Sequence, residues 1–294
     1  MKEGKASRTA EGMAGFKAAE SMKPEEERVY YDPLAKHFLG RLYGNIAKSR
    51  LLTKIALSYY ERMYPGGYGY IITRTKYVDD YLKTCIDDGI EQLVIMGAGY
   101  DSRAYVFEGL KGRVKVFEVD HPATQKRKIE KLKEMLGSLP THVVFVPVDF
   151  NTEKLDKKLL ESGYDKSLKT LFIWEGVTMY LTAEAVDETL AFVAANSGAG
   201  SSIIFNYMDK SFANGTSGQK EAKRLRKTAQ RTGEPLTFGI EAGAIEEYLS
   251  SRGFCQVVNV TGDYLRNTYF KGKNQNRTVS NLVPIVHAKV SPHG

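Results

Sequence analysis

Two short runs hold the residues best suited to chemistry. The apolar stretch Leu93-Val94-Ile95-Met96 breaks into Gly97-Ala98-Gly99, and Val114-Lys115-Val116-Phe117-Glu118-Val119 ends in Asp120. Glycine takes backbone angles that other residues resist and lets a ligand approach the main chain without meeting a Cβ. A carboxylate ending the next strand, about twenty residues on, is where α/β nucleotide-binding proteins hold ribose hydroxyls. Glu118 lies two residues earlier on the same strand, points the same way and competes for that role. The turn is not a complete dinucleotide motif, because Ser102 stands where G-x-G-x-x-G needs its third glycine. Asp149-Phe150 follows a third apolar run and pairs an acid with an aromatic. Val-Asp-Phe-Asn also reads as a strand exit in which Asn151 or Thr152 caps the next helix. Glu175 sits between Leu-Phe-Ile-Trp and Gly-Val-Thr-Met-Tyr-Leu, so it must find donors or lose its charge. Tyr30, Tyr31, His37, Tyr180 and Tyr207 could border a substrate pocket, although a packed aromatic is the commoner fate. His121, followed by Pro122, reads as turn chemistry and Trp174 as core.

The elements that must position these residues follow from periodicity. Residues 6–64 show helical spacing, with Met13 and Phe16, then Leu34, Phe38 and Leu42, then Leu51, Ile55 and Tyr59. Asp32-Pro33 predicts an N-cap and first-position proline for a helix running to Gly40. Pro65–Gly69 reads as a loop, and a helix is expected from about Ile71 to Asp87, ending at Gly89. From Glu91 the pattern alternates strand and helix, as in a parallel sheet with covered faces. The strands read are Gln92–Met96, Val114–Val119, Val143–Pro147, Leu171–Glu175, Ser202–Tyr207, Cys255–Val260 and Leu282–Lys289. Residues 208–240 form a long charged insertion with a helix around Gln219–Arg231, the usual form of a lid or substrate loop. The division expected is therefore 1–89 as a helical lid and 90–294 as a nucleotide-binding unit carrying that insertion.

Composition bounds the class. The chain has 294 residues, 42% of them hydrophobic, enough for a well-buried core. Its formal charge is +7 with a pI near 9.1, but the basic residues read as spread along the chain among 35 acids, which argues against a nucleic-acid footprint. Cys85 and Cys255 stand in unrelated contexts, so neither a disulfide framework nor a metal cluster is expected. No apolar run has the length of a membrane span, and the expectation is a cytoplasmic protein without a membrane partner.

Several runs together resemble the leucine carboxyl methyltransferase family, in particular its bacterial and archaeal branch of S-adenosylmethionine-dependent O-methyltransferases, which includes polyketide O-methyltransferases. They are Ser7-Arg8-Thr9-Ala10, Tyr31-Asp32-Pro33-Leu34-Ala35, Gly97–Tyr105, Glu118–Pro122, Trp174–Leu181 and Gly233-Glu234-Pro235, in that order. Val106 departs from the branch, which commonly carries a basic residue there. The resemblance implies a class I methyltransferase sheet, Rossmann-like, of six parallel strands and one antiparallel in the order 3-2-1-4-5-7-6. It also implies a place for each part of the cofactor. Gly97, Ala98 and Gly99 would lie against the methionine moiety, with helix N-terminal amides near its carboxylate. Asp120 would accept from both ribose hydroxyls, and Asp149 with Phe150 would meet the adenine. Glu175 would face the methionine amino group. Arg74 would grip the carboxylate with its planar fork, Lys76 being the neighbouring alternative.

Methyl transfer from a sulfonium is an in-line displacement that needs positioning and no metal. A carboxylate acceptor, on a small molecule or a peptide end, is favoured over a hydroxyl because no convincing general base stands out. The product would be S-adenosylhomocysteine. Two other classes remain open on residues alone: a non-catalytic or RNA-associated cofactor-binding protein, and a nicotinamide-dependent dehydrogenase. The acceptor's identity and the oligomeric state are not legible.

Overall fold

Strands buried on both faces need apolar side chains on both, and β1 (Gln92–Met96) is buried at every residue. The computed structural model describes residues 7–150 and 153–292. After β1 come β2 (Lys115–Asp120), β3 (Val143–Pro147), β4 (Thr170–Trp174), β5 (Ser202–Asn206), β6 (Phe254–Val260) and β7 (Ile285–Val290). They form one sheet in the order β3-β2-β1-β4-β5-β7-β6, as expected. β1 to β5 pair in parallel, and β7 runs antiparallel to β5 and β6. The strand period of two divides the core: Leu93 and Ile95 pack with Val78 and Leu82 on one face, Val94 and Met96 with Val186 and Leu190 on the other.

Helices α1 (Arg8–Ser21), α2 (Arg41–Ala47), α3 (Arg50–Met63) and α4 (Gly67–Asp87) precede the sheet. Two expectations here are corrected. The helix predicted from Asp32-Pro33 to Gly40 is a single 3-10 turn, Ala35–Phe38. Its N-cap is Leu34 and not Asp32, whose Oδ1 nevertheless accepts from the N–H groups of Leu34 (2.9 Å) and Ala35 (3.0 Å). Asp32 Oδ2 is committed to the Ser102 hydroxyl (2.6 Å) and to Lys17 Nζ (3.3 Å), which ties this segment to the turn after β1. Helix α4 starts a turn earlier than expected, within the glycine-rich stretch read as a loop. The Glu61 carboxylate accepts from the N–H groups of Gly66 (2.9 Å) and Tyr68 (2.8 Å), satisfying donors at the helix start, while Gly66 takes φ +72°.

The insertion holds helices Lys210–Asn214 and Lys220–Thr232, the second ending at Gly233 with φ +81°. Just beyond, the Glu234 carboxylate accepts from the Ser7 (3.2 Å) and Thr9 hydroxyls, so the insertion meets the start of α1. Among the described residues no helix is long and apolar enough to cross a membrane.

Candidate active site

Crossovers from a parallel sheet leave in opposite directions on either side of β1, opening a crevice at the carboxyl ends of the strands. A cavity of about 640 Å³ lies there. Successive strands supply its floor: Asp149 and Phe150 after β3, Asp120 ending β2, Gly97 to Gly99 after β1, Glu175 after β4 and Asn206 ending β5. Lys17 of α1, Arg74 of α4 and Glu234 of the insertion complete the wall.

The turn needs its glycines, with φ +69° at Gly97 and +43° at Gly99. A Cβ on Gly97 would come within 2.3 Å of Val177 Cγ2. The turn's amides are already used: the N–H groups of Gly97 (2.8 Å) and Ala98 (2.9 Å) both donate to the Val119 carbonyl, and that of Gly99 donates to Asp120. The helix that follows is one turn, Arg103–Val106, and the Arg103 N–H donates to Asp101 Oδ1 at 2.8 Å. The amides of Gly97, Ala98, Gly99, Asp101 and Arg103 are thereby bonded within the protein.

Asp120 and Glu118 separate clearly. Asp120 lines the cavity, with one oxygen accepting from Gly99 and the other from the His121 N–H (2.6 Å), so each keeps a lone pair for a ligand. Burial pushes its pKa up, and the two backbone donors oppose this. Glu118 is fully buried under the sheet, 2.7 Å from Lys128 Nζ. His121 Nδ1 accepts from the Ala123 N–H (3.2 Å), capping the Pro122–Leu136 helix as its sequence context suggests. His121 Nε2 also approaches Asp149 Oδ2, at 3.8 Å. Asn151 and Thr152, the expected helix caps, lie outside the described residues.

Glu175 has found its donors. Arg74 Nε lies 2.8 Å from Oε1, Arg103 Nη2 lies 2.9 Å from Oε2, and the Thr75 hydroxyl donates to Oε1 at 3.2 Å. Burial alone would raise its pKa, but Arg74, Arg103 and Lys17 outweigh it and hold the carboxyl at about 2. It is an ionised carboxylate facing the cavity. Lys76 is turned away, paired with Asp80 and set over the Tyr269 ring.

Sequence reasoning missed four residues here. Arg103 is almost fully buried, also pairing with Asp79 (2.6 Å) and Asp101; the available signal was an arginine set between a glycine turn and Ala-Tyr. Lys17 reaches the wall from α1 and donates to the Tyr100 carbonyl at 3.4 Å. Asn206 Oδ1 accepts from the Gly176 N–H (2.6 Å), leaving Nδ2 with no partner among the described residues; Tyr70 is buried on the cavity wall with Arg74 over its ring. Of the residues offered as bordering a pocket, Tyr180 lines the cavity, while Tyr30, Tyr31, Tyr207 and His37 do not, Tyr31 being 54% exposed. Tyr30 packs with Tyr68 and Ile72, and Tyr207 turns to the other face of β5, its hydroxyl donating to Asn259 at 3.2 Å. Alternation along β5 puts Asn206, not Tyr207, on the cavity. Among the described residues no cluster of His, Cys, Asp or Glu could hold a metal.

The model of the family described as leucine carboxyl methyltransferase matches residues 10–194. The chain belongs to that family. A Bacillus subtilis (strain 168) relative named "Putative S-adenosyl-L-methionine-dependent methyltransferase YktD" is 33% identical over 74% of this chain and 71% of its own length. A Frankia alni relative of the same description is 34% identical over 66% of this chain and 65% of its own length. The crystal structure of a DUF574 family protein from Streptomyces avermitilis MA-4680 shares the fold, with a TM-score of 0.59 at 12% identity over 98% of each chain. This leucine carboxyl methyltransferase family member is an S-adenosylmethionine-dependent methyltransferase.

Proposed function

We propose that this family member methylates a carboxylate of a small molecule or a peptide end. S-adenosylmethionine supplies the methyl on a sulfonium, whose C–S bond electrons return to sulfur as the acceptor oxygen bonds to carbon, leaving a neutral ester and S-adenosylhomocysteine. The donor set fits that cofactor part by part. Asp120 has lone pairs for a ribose diol, Asp149 and Phe150 suit the adenine, and Glu175 suits an ammonium. Lys17 and Arg74 are the cations on the cavity wall that suit the methionine carboxylate.

The observation that carries the acceptor class is that Glu234, Glu175 and His121 on the cavity wall are already engaged within the protein. Burial pushes Tyr70 and Tyr180 each up to about 12, so at neutral pH they are phenols that donate hydrogen bonds and do not accept a proton. Glu234 is engaged by Ser7 and Thr9, Glu175 by two arginines, and His121 by its cap. A hydroxyl acceptor would need a base within hydrogen-bond reach, whereas a carboxylate with a pKa of about 4 arrives ionised and needs orientation only. Donors at Tyr70 and Tyr180 are suited to orienting an anion. With methyl-labelled cofactor and cell extract, the labelled product should release its label as methanol in mild alkali. Label that survives alkali marks an ether and rules out the carboxylate reading.

Arg74 acts in this reading through the cofactor's carboxylate. Arg74→Ala should weaken S-adenosylmethionine and S-adenosylhomocysteine alike by about 1.5–3 kcal/mol, the range for hydrogen bonds to charged groups. A decarboxylated analogue should be nearly indifferent to the change in calorimetry. An equal loss for the analogue would assign Arg74 solely to holding Glu175.

A further inference from the structure

Helix α3 buries only Thr53 and turns an apolar row outwards. Leu51 is 66% exposed, Leu52 48%, Ile55 57% and Tyr59 69%, and Leu42 on α2 is 70% exposed. Single exposed apolar residues are ordinary, but a contiguous aliphatic row is not. Basic residues flank it: residues 41–63 carry Arg41, Lys48, Arg50, Lys54 and Arg62 against the single acid Glu61. The insertion helix adds Lys220, Lys223, Arg224, Arg226, Lys227 and Arg231 against Glu221. The segments adjoin, the Tyr64 hydroxyl meeting that of Thr228 at 2.6 Å and Arg224 Nη1 donating to the Met63 carbonyl at 3.3 Å. Together they account for the whole positive excess of the chain, +7, and leave the remainder slightly acidic. This departs from the sequence reading, which takes the basic residues as spread along the chain and expects no membrane partner.

We propose that this face docks on an anionic lipid bilayer. An amphipathic helix with aliphatic residues on one side and Lys or Arg beside them settles at the headgroup boundary, drawn by buried apolar area and by charge. A second copy of the chain is disfavoured, because an isologous contact would set one basic face against another. RNA would pair with the cations but give Leu42, Leu51 and Ile55 nothing to contact. The same segments turn Tyr60, Tyr64 and Leu225 inwards to the cavity wall, so docking would bring the cavity's lid against the bilayer.

The test is co-sedimentation of the full chain with vesicles of phosphatidylcholine alone and of phosphatidylcholine with phosphatidylglycerol. Binding is expected to the second, weakening as salt is raised. Leu51→Asp with Ile55→Asp should reduce it at least tenfold, and Lys223→Gln with Lys227→Gln roughly thirtyfold at about 1 kcal/mol per cation. Both variants should keep the thermal midpoint and S-adenosylhomocysteine binding of the parent. Absence of binding to anionic vesicles at low salt overturns the proposal. So does unchanged binding in the Leu51/Ile55 variant, an oligomer in light scattering that this variant dissolves, or RNA displacing the vesicles.

Discussion

Replacing Glu175 by alanine is expected to destabilise the free protein by about 3–5 kcal/mol in urea unfolding, the usual cost of breaking one side of a buried ion pair. The carboxylate is the shared partner of Arg74 and Arg103, and both guanidiniums are almost wholly buried. Its loss leaves Arg103 with Asp79 and Asp101, but leaves Arg74 Nε without its acceptor. The same site predicts a pH dependence. The folded pKa of Glu175, about 2, lies below its ordinary value of 4.5, so this contribution is complete above pH 4.5 and lost as pH falls towards 2. It amounts to about 3 kcal/mol. Asp79 works in the opposite sense: burial raises it from 3.8 to about 6, so its contribution is lost as pH rises through that interval. The difference between wild type and Glu175→Gln isolates the Glu175 limb. A difference that stays flat between pH 4.5 and 2 would show that the arginines do not hold this carboxylate.

Asp120→Asn should cost about 1.5–3 kcal/mol in S-adenosylhomocysteine affinity, roughly ten- to a hundredfold. Asparagine keeps one acceptor for the Gly99 or His121 N–H but removes the charge and the second acceptor that a ribose diol uses. Glu118→Gln is the contrast. Glu118 and Lys128 form a buried pair that does not line the cavity, so this change should lower stability and leave the affinity of the folded protein intact. The opposite pattern, with affinity following Glu118, would exchange the two roles. Because burial raises the Asp120 pKa, wild-type affinity should begin to fall at a pH above the ordinary aspartate value of 3.8.

Much of this arrangement is legible in the chain itself. Periodicity places β1 and β3 at their observed bounds, Gln92–Met96 and Val143–Pro147, because both are short apolar runs set off by turn residues. The last strand is read too early, at Leu282. Leu282 and Val283 instead wall the cavity, Pro284 has no N–H to donate, and β7 begins at Ile285. Acids at strand ends could be found because strand and turn are local. The partners of Glu175 could not: Arg74 comes from α4 and Arg103 from beyond the first turn, and only the folded sheet brings them together. Asp32 shows both sides. Its carboxylate does accept from N–H groups at the start of a helical turn, but that turn is a short 3-10 element with Leu34 as its N-cap, and the other oxygen holds Ser102 from across the fold. The basic segments 41–63 and 220–232 needed only local counting along the chain, a signal the overall charge conceals.

The account rests on the cavity at the β1 turn being built for a sulfonium nucleoside and not for a dinucleotide. Titration calorimetry of the full chain with S-adenosylhomocysteine and, separately, with nicotinamide adenine dinucleotide tests this directly. The expected result is saturable binding of one S-adenosylhomocysteine per chain, weakened by Asp120→Asn, with no heat of binding from the dinucleotide. Dinucleotide binding, or a folded protein that takes up no S-adenosylhomocysteine, would contradict it.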